Sequence, residues 1–340
     1  MRAAFLTGVD AVEVREAQAP TLTGATDVLV ETSALSLCMS DIEMIRGEMK
    51  TKKLPIIIGH EGSGTVVSAG VSSGGIKEGD RVLIDPNIRD FTCPSCKKGL
   101  YNLCVNGGLM GREADGVFRD RLVLPSTNLY RLPPGISDEV APLIQPLSTA
   151  VHAHSLVHIG PGDTVLVLGL GVTGLLLAQV AKLRGGTVIA VSSSDERLEL
   201  ARRVGADVGV RKDEAGIASK VKDTTQGKGV DVVIDSSGYP TLLQKSGIEL
   251  VRPGGTVLLF AVRMAALGLD SFEAYRREIT FRTARSSLPQ DFKDAITMVD
   301  SKMLDLQYQI SGRFKFDQLS EALSFFQGRR TALKTVITMR

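Results

Sequence analysis

Between residue 1 and about residue 150, apolar positions come in short, partly alternating runs: 27–32 (DVLVET), 64–68 (GTVVS), 81–84 (RVLI) and 120–124 (DRLVL). Runs of this length, punctuated by Gly, Pro and Asp, predict the strands of a compact β-barrel or sandwich rather than a helical bundle. Near residue 160 the pattern changes. Strand-like runs at 164–169, 187–191, 230–234 and 256–260 alternate with helical stretches such as 174–184 and 196–204. That alternation predicts a parallel, doubly wound sheet. Beyond about residue 285, helical stretches at 291–302 and 316–327 precede a terminal strand at 334–339, read as a return to the first domain.

A chain of 340 residues with 43% hydrophobic content buries large cores and divides into about two domains. The reading is an α/β protein with a discontinuous first domain, 1–153 with 286–340, and a second domain at 154–285. A net charge of +2 with scattered Lys and Arg argues against nucleic acid or an anionic membrane as the main partner. The N-terminus has too short an apolar run for a signal peptide, and no stretch approaches about 18 uninterrupted apolar residues. The expectation is a cytoplasmic protein, and four cysteines in so long a chain suit a reducing compartment better than a disulfide framework.

Three of those cysteines lie close together, in Asp90-Phe-Thr-Cys93-Pro-Ser-Cys96 and, after a seven-residue gap, Cys104. Two-residue spacers let thiolates converge on one tetrahedral Zn²⁺, and Asp90 completes a quartet. Here the sequence resembles the zinc-containing medium-chain dehydrogenase/reductase family, whose structural-zinc lobe carries cysteines at this stepping. Asp90 stands where that family usually has its first cysteine, and a carboxylate oxygen is an acceptable replacement ligand. The resemblance implies a GroES-like β-barrel catalytic domain with a structural-zinc lobe, joined to a Rossmann domain.

The dinucleotide signal is Gly169-Leu-Gly171-Val172-Thr173-Gly174, which follows a strand and opens an apolar helix. Gly169 allows the tight turn, Gly171 lets backbone approach a pyrophosphate, and Gly174 lets helix and sheet pack closely. An NAD site places an acidic residue about 20 residues further on. By the resemblance Ser192 occupies that position, followed by Ser193, while Arg197, Arg211 and Lys212 offer positive charge nearby. A hydroxyl does not repel a 2′-phosphate, so the reading favours NADP over NAD.

The fourth cysteine opens Cys38-Met-Ser40-Asp-Ile-Glu43, and a second segment reads Gly59-His60-Glu61-Gly62. Thiolate plus imidazole suits zinc, and a catalytic site keeps one position open for water or substrate. Over nearly its whole length the chain resembles the polyol branch of the family, which implies Cys38, His60 and Glu61 as catalytic-zinc ligands. It further implies Ser40 as the first hydroxyl of a proton relay, Glu43 where many members have a relay histidine, and Thr149 beside the nicotinamide ring. Gln145 replaces a glutamate of the sorbitol dehydrogenases, removing a negative charge from the site. Arg282, in a Phe-Arg pair, matches a substrate-reaching arginine and suits a substrate with several hydroxyls, a phosphate or a carboxylate.

The implied chemistry is zinc-assisted hydride transfer between a secondary alcohol (polyol, sugar, cyclitol or sugar derivative) and a nicotinamide cofactor. Two other classes stand beside it. A zinc-free quinone or enone reductase of the same superfamily needs neither Cys38 with His60 nor the cysteine lobe. A non-catalytic zinc- or nucleotide-binding protein is favoured only by Asp90 and Gln145. The expected partners are a small alcohol or ketone and further copies of the chain, as a homodimer or homotetramer with the segment 257–262 near the pairing edge.

Overall fold

The computed structural model describes residues 1–261, 267–328 and 332–339. The chain forms two compact units, Met1–Ser148 with Leu288–Arg340, and Thr149–Ser287.

The first unit is built on antiparallel strands. Along Asp27–Ser36 burial alternates from Val28 through Val30 and Thr32 to Ala34, so one face enters the core and the other does not. Antiparallel partners flank this strand: Gly62–Ala69 on one side, and Arg121–Pro125 together with the C-terminal strand Lys334–Thr338. The last of these explains why the unit is discontinuous. Val336 pairs with Ser36 and Thr338 with Ala34, so the end of the chain closes on a strand about 300 residues earlier. Val28, Val30, Leu35, Ile58, Val82, Phe118, Phe316 and Ile337 belong to one buried cluster whose apolar area drives this closure. The predicted helix at 316–327 begins later than its pattern implied. Phe316–Gln318 is a 3₁₀ turn in which Gln318 Oε1 accepts the Lys315 N–H at 3.0 Å, and the α-helix proper is Leu319–Gly328.

The second unit holds a six-stranded parallel sheet. Its order is Val208–Arg211, Thr187–Ser192, Thr164–Leu168, Val230–Asp235, Val251–Leu259 and Thr280–Thr283. All five residues of the inner strand Thr164–Leu168 are buried, as a parallel strand covered on both faces requires. The segment 257–262, expected near a pairing edge, falls mainly in Val251–Leu259. That strand is second from one end of the sheet, beside the outer strand Thr280–Thr283, and Val208–Arg211 forms the other end among the described residues. Val262 lies outside the described residues. Both stretches are apolar enough to read as strands, and only pairing order makes one of them the edge.

Candidate functional site

Cys38 ends the extended segment after Asp27–Ser36 and caps the helix Met39–Ile45. Asp41, in the first turn of that helix, accepts the Cys38 N–H through Oδ2 at 2.9 Å and turns its other oxygen to His60 Nδ1 at 3.1 Å. Asp41 is fully buried, so it orients the imidazole rigidly and leaves Nε2 as the nitrogen for a metal. His60 reaches this position because Gly59 has φ +87°, and a Cβ there would fall 1.9 Å from the Phe118 ring. Burial pushes the His60 pKa down, but the charges of Asp41 and Cys38 outweigh it and hold the imidazole well above its ordinary range.

Cys38, His60 and Glu61 each bring a ligand atom within 4.8 Å of the others. Thiolate, imidazole and carboxylate at that separation fit a zinc ion, with Cys38 and His60 as the groups that would hold it. Glu61, expected as a third ligand, is also claimed by another cation. Lys334 Nζ lies 2.5 Å from both its oxygens, and the Ser36 hydroxyl donates to it as well. Ser40 donates its hydroxyl to Cys38 Sγ at 3.3 Å. Glu43, one turn further along the same helix, is half-buried, and burial together with Glu48 raises its pKa. Gln145 and Thr149 lie four residues apart on the helix Ile144–Ser155 and so share a face. Arg282 sits exposed on the outer strand Thr280–Thr283.

Asp90, Cys93, Cys96 and Cys104 form a second cluster, again with one ligand atom from each within 4.8 Å of the rest. Cys93 caps the single turn Pro94–Lys97, and its Sγ accepts the Cys96 N–H at 3.4 Å while lying 3.9 Å from Cys104 Sγ. The N–H of Cys96 is also the main reason why the Cys93 thiol is shifted down, whereas burial pushes Cys96 up to about 12. Asp90 does local work besides. Its Oδ1 accepts the N–H groups of Thr92 and Cys93 at 2.9 and 3.0 Å, and Oδ2 accepts from Asn106 at 2.6 Å. These donors, Cys93 first, hold the carboxylate well below its usual range. Three thiols and an ionised carboxylate suit zinc.

In the second unit, each glycine of the 169–174 loop answers a different constraint. Gly169 has φ +89°, a Cβ on Gly174 would lie 1.9 Å from the Gly169 carbonyl oxygen, and a Cβ on Gly171 would enter open space. The helix Val172–Leu183 then starts at Gly171 without a side-chain cap, and its N-terminus carries the positive end of the helix dipole. Thr173 shares a 3.0 Å hydrogen bond with Ser236. Ser192 ends its strand buried, its hydroxyl accepting the Ser194 N–H at 3.2 Å. The parallel register sets Arg211 directly beside it, with Nη1 2.8 Å from the Ser193 carbonyl oxygen and 3.1 Å from Asp195. Lys212 lies over the Tyr239 ring at 3.7 Å. Arg197 is half-buried, and burial lowers its pKa.

Asp41 and Lys334 were not singled out from the sequence. Asp41 had a readable signal, an acidic residue three positions after a helix-capping residue. Lys334 had none beyond being a cation at the start of an apolar strand.

Residues 24–134 match the family model for an alcohol dehydrogenase GroES-like domain, and residues 172–301 that for a zinc-binding dehydrogenase. An L-threonine 3-dehydrogenase of Pyrococcus abyssi is 33% identical over 317 residues, covering 91% of this chain and 90% of its own. A sorbitol dehydrogenase of Halalkalibacterium halodurans is 32% identical over 331 residues, covering 96% and 95%. Among solved structures, an alcohol dehydrogenase from Escherichia coli CFT073 complexed with NADH superposes with a TM-score of 0.93 at 26% identity over 100% of this chain and 99% of that one. A zinc-binding dehydrogenase from Sinorhizobium meliloti 1021 bound to NADP gives 0.91 at 29% identity over 99% and 98%.

Proposed function

The chain belongs to the zinc-containing medium-chain dehydrogenase/reductase family, and from that premise we propose that it oxidises a secondary alcohol of a polyol or sugar derivative, passing hydride to NADP. The observation that carries the reading is the convergence of Cys38 and His60, from separate segments, within 4.8 Å of each other. A zinc ion held there supplies a Lewis acid for the substrate oxygen. Asp41 keeps His60 in the tautomer that ligation needs. Ser40 and Glu43, one helical turn apart, form the proton path, and burial together with Glu48 raises the Glu43 pKa, which makes its carboxylate a better proton acceptor. Cys93, Cys96 and Cys104 with Asp90 hold a second, structural zinc.

A polyol substrate is supported by the sorbitol dehydrogenase relative and by Arg282, whose guanidinium forks to hydroxyl or phosphate oxygens. The exposed strand Thr280–Thr283 supports a homodimer or homotetramer through edge pairing. No helix among the described residues is long and apolar enough to cross a membrane, and four free thiols support a reducing compartment such as the cytoplasm. The reading is tested by assaying polyols, cyclitols, sugar phosphates and simple alcohols with NAD and NADP, with and without added zinc. Zinc-dependent oxidation of a polyhydroxylated substrate is expected. Turnover confined to simple enones and indifferent to zinc would place the chain among the zinc-free reductases.

NADP preference rests on Ser192 and Arg211 lying side by side at the strand ends. Ser192→Asp is expected to move the ratio of kcat/KM values toward NAD by roughly 10- to 100-fold, the effect of one charge-assisted hydrogen bond of about 1.5–3 kcal/mol. The carboxylate repels a 2′-phosphate, binds a free ribose hydroxyl and pairs with Arg211. An unchanged ratio in side-by-side kinetics would remove Ser192 from the specificity site.

A further inference from the structure

Arg112 stands in a tight turn pressed onto the segment that delivers His60. The Gly111 N–H closes the turn on the Ala114 carbonyl oxygen at 2.8 Å, and the N–H groups of Gly116 and Val117 bond to the carbonyl oxygens of Ile57 and Gly59 at 2.7 and 3.0 Å. Gly111 has φ +82°, and a Cβ there would lie 2.8 Å from the Gly59 carbonyl oxygen, so the turn touches the residue directly before His60. On its other side the Arg112 carbonyl oxygen accepts the Lys52 N–H at 2.9 Å, and Nη1 lies 3.9 Å from the Met49 sulfur. Met49 donates its own N–H to the carbonyl oxygen of Glu43 at 3.0 Å, in the helix that carries Ser40. The guanidinium is thus tied by short contacts to both segments that bear on the metal position.

Its charge is only partly answered. Nε bonds to Glu113 Oε1 at 2.6 Å, and Glu113 is fixed in turn by accepting the Leu109 N–H at 2.7 Å. That pair holds one edge of the guanidinium. The Nη1–Nη2 fork keeps a thioether, a weak acceptor, as its one hydrogen-bond partner among the described residues. Both side chains are 29% exposed, so the fork is backed by protein and still within reach of a ligand. Beyond Met49 the chain runs Lys50-Thr-Lys52-Lys53 with all three lysines exposed, and of these only Lys53 has an ion pair among the described residues, to Asp115 at 3.1 Å.

We propose that Arg112 determines substrate specificity: its fork takes the anionic group, phosphate or carboxylate, of a polyhydroxylated substrate whose secondary hydroxyl reaches the metal position of Cys38 and His60. The inference rests on the proposed alcohol oxidation and narrows its substrates from neutral polyols to charged ones. A guanidinium presents two parallel N–H donors to two oxygens of such a group, bonds that a neutral polyol does not repay with charge. Glu113 fixes the plane of the fork in advance, so little side-chain freedom is lost on binding. Lys50 and Lys52 add a positive rim that draws an anion toward it. Arg112 shares its compact unit with Cys38 and His60, whereas Arg282 belongs to the other unit.

Sorbitol, sorbitol 6-phosphate and gluconate, which share a six-carbon chain, test this as substrates of the full-length, zinc-loaded protein with NADP. The wild type is expected to show a kcat/KM at least about 100-fold higher for one or both charged substrates than for sorbitol, the effect of two charge-assisted hydrogen bonds, with a KM that rises with salt. Arg112→Gln should lower that charged-to-neutral ratio by about 100-fold, chiefly through KM. Arg112→Lys should recover only about tenfold of it, because an ammonium keeps the charge and loses the fork. A gain confined to the phosphate or to the carboxylate identifies the group. Equal kcat/KM for all three in the wild type, or a ratio that Arg112→Gln leaves in place, overturns the proposal while the alcohol-dehydrogenase reading stands. If Arg112→Gln fails to fold, Arg112→Lys decides by the same ratio. Calorimetric titration with the two charged compounds, without nicotinamide, separates the inference from the reaction. Binding that Arg112→Gln weakens at least about tenfold, in a protein that oxidises none of the three, would keep the anion site and remove the proposed oxidation. No binding of either compound by the wild type would overturn the anion site.

Discussion

Replacing Cys38 by Ser or His60 by Ala lowers kcat/KM for alcohol oxidation by at least about 10³-fold, the expected loss when a Lewis acid worth roughly 4 kcal/mol or more is removed from a hydride transfer. The two side chains converge from separate segments, and Asp41 fixes the imidazole while Ser40 contacts the thiolate. Neither can be lost without leaving a zinc ion short of ligands. Nicotinamide binding should survive, because the phosphate-binding loop and Ser192 belong to the other unit of the chain. Fluorescence titration of NADPH therefore accompanies the kinetics, with the dissociation constant expected to stay within about twofold of wild type. Alcohol oxidation that persists in both variants would show that zinc at Cys38 and His60 has no part in turnover.

Cys96→Ser gives the opposite separation, a loss of stability with little change in turnover by the folded fraction. Cys96 is buried in a lobe made of one helical turn, a 3₁₀ turn and short bridging strands, which has little apolar core of its own. Such a segment depends on its metal for order. A cost of about 3 kcal/mol corresponds to a fall in Tm of roughly 6–12 °C for a unit of this size. A chelator should lower the Tm of the wild type by a similar amount and that of Cys96→Ser far less. Equal chelator sensitivity of the two proteins in a thermal melt would remove structural zinc from Asp90, Cys93, Cys96 and Cys104. Kinetics normalised to folded protein supply the second readout.

Much of this molecule was readable because its signals are local. Alternation along Asp27–Ser36 and the all-apolar run Thr164–Leu168 announce a half-buried antiparallel strand and a fully buried parallel one, since side-chain period depends only on neighbouring residues. The glycines at 169, 171 and 174 and the stepping of Cys93, Cys96 and Cys104 are readable for the same reason: each fits a constraint spanning a few residues. Recognising Cys38 with His60 needed the family pattern as well, because 21 intervening residues separate the two.

Tertiary structure decided what depends on pairing between distant segments. Register places Arg211 beside Ser192, and sheet order makes Thr280–Thr283 rather than Val251–Leu259 the outer strand. Nothing in the period of either strand encodes its neighbour. The same holds at the metal position. The sequence by itself determined that Glu61 follows a histidine suited to zinc. Only the antiparallel closure of Lys334–Thr338 on Asp27–Ser36 brings a buried ammonium 273 residues away to both its oxygens. A charge buried in low dielectric must find an opposite charge, and the fold chooses which one it meets.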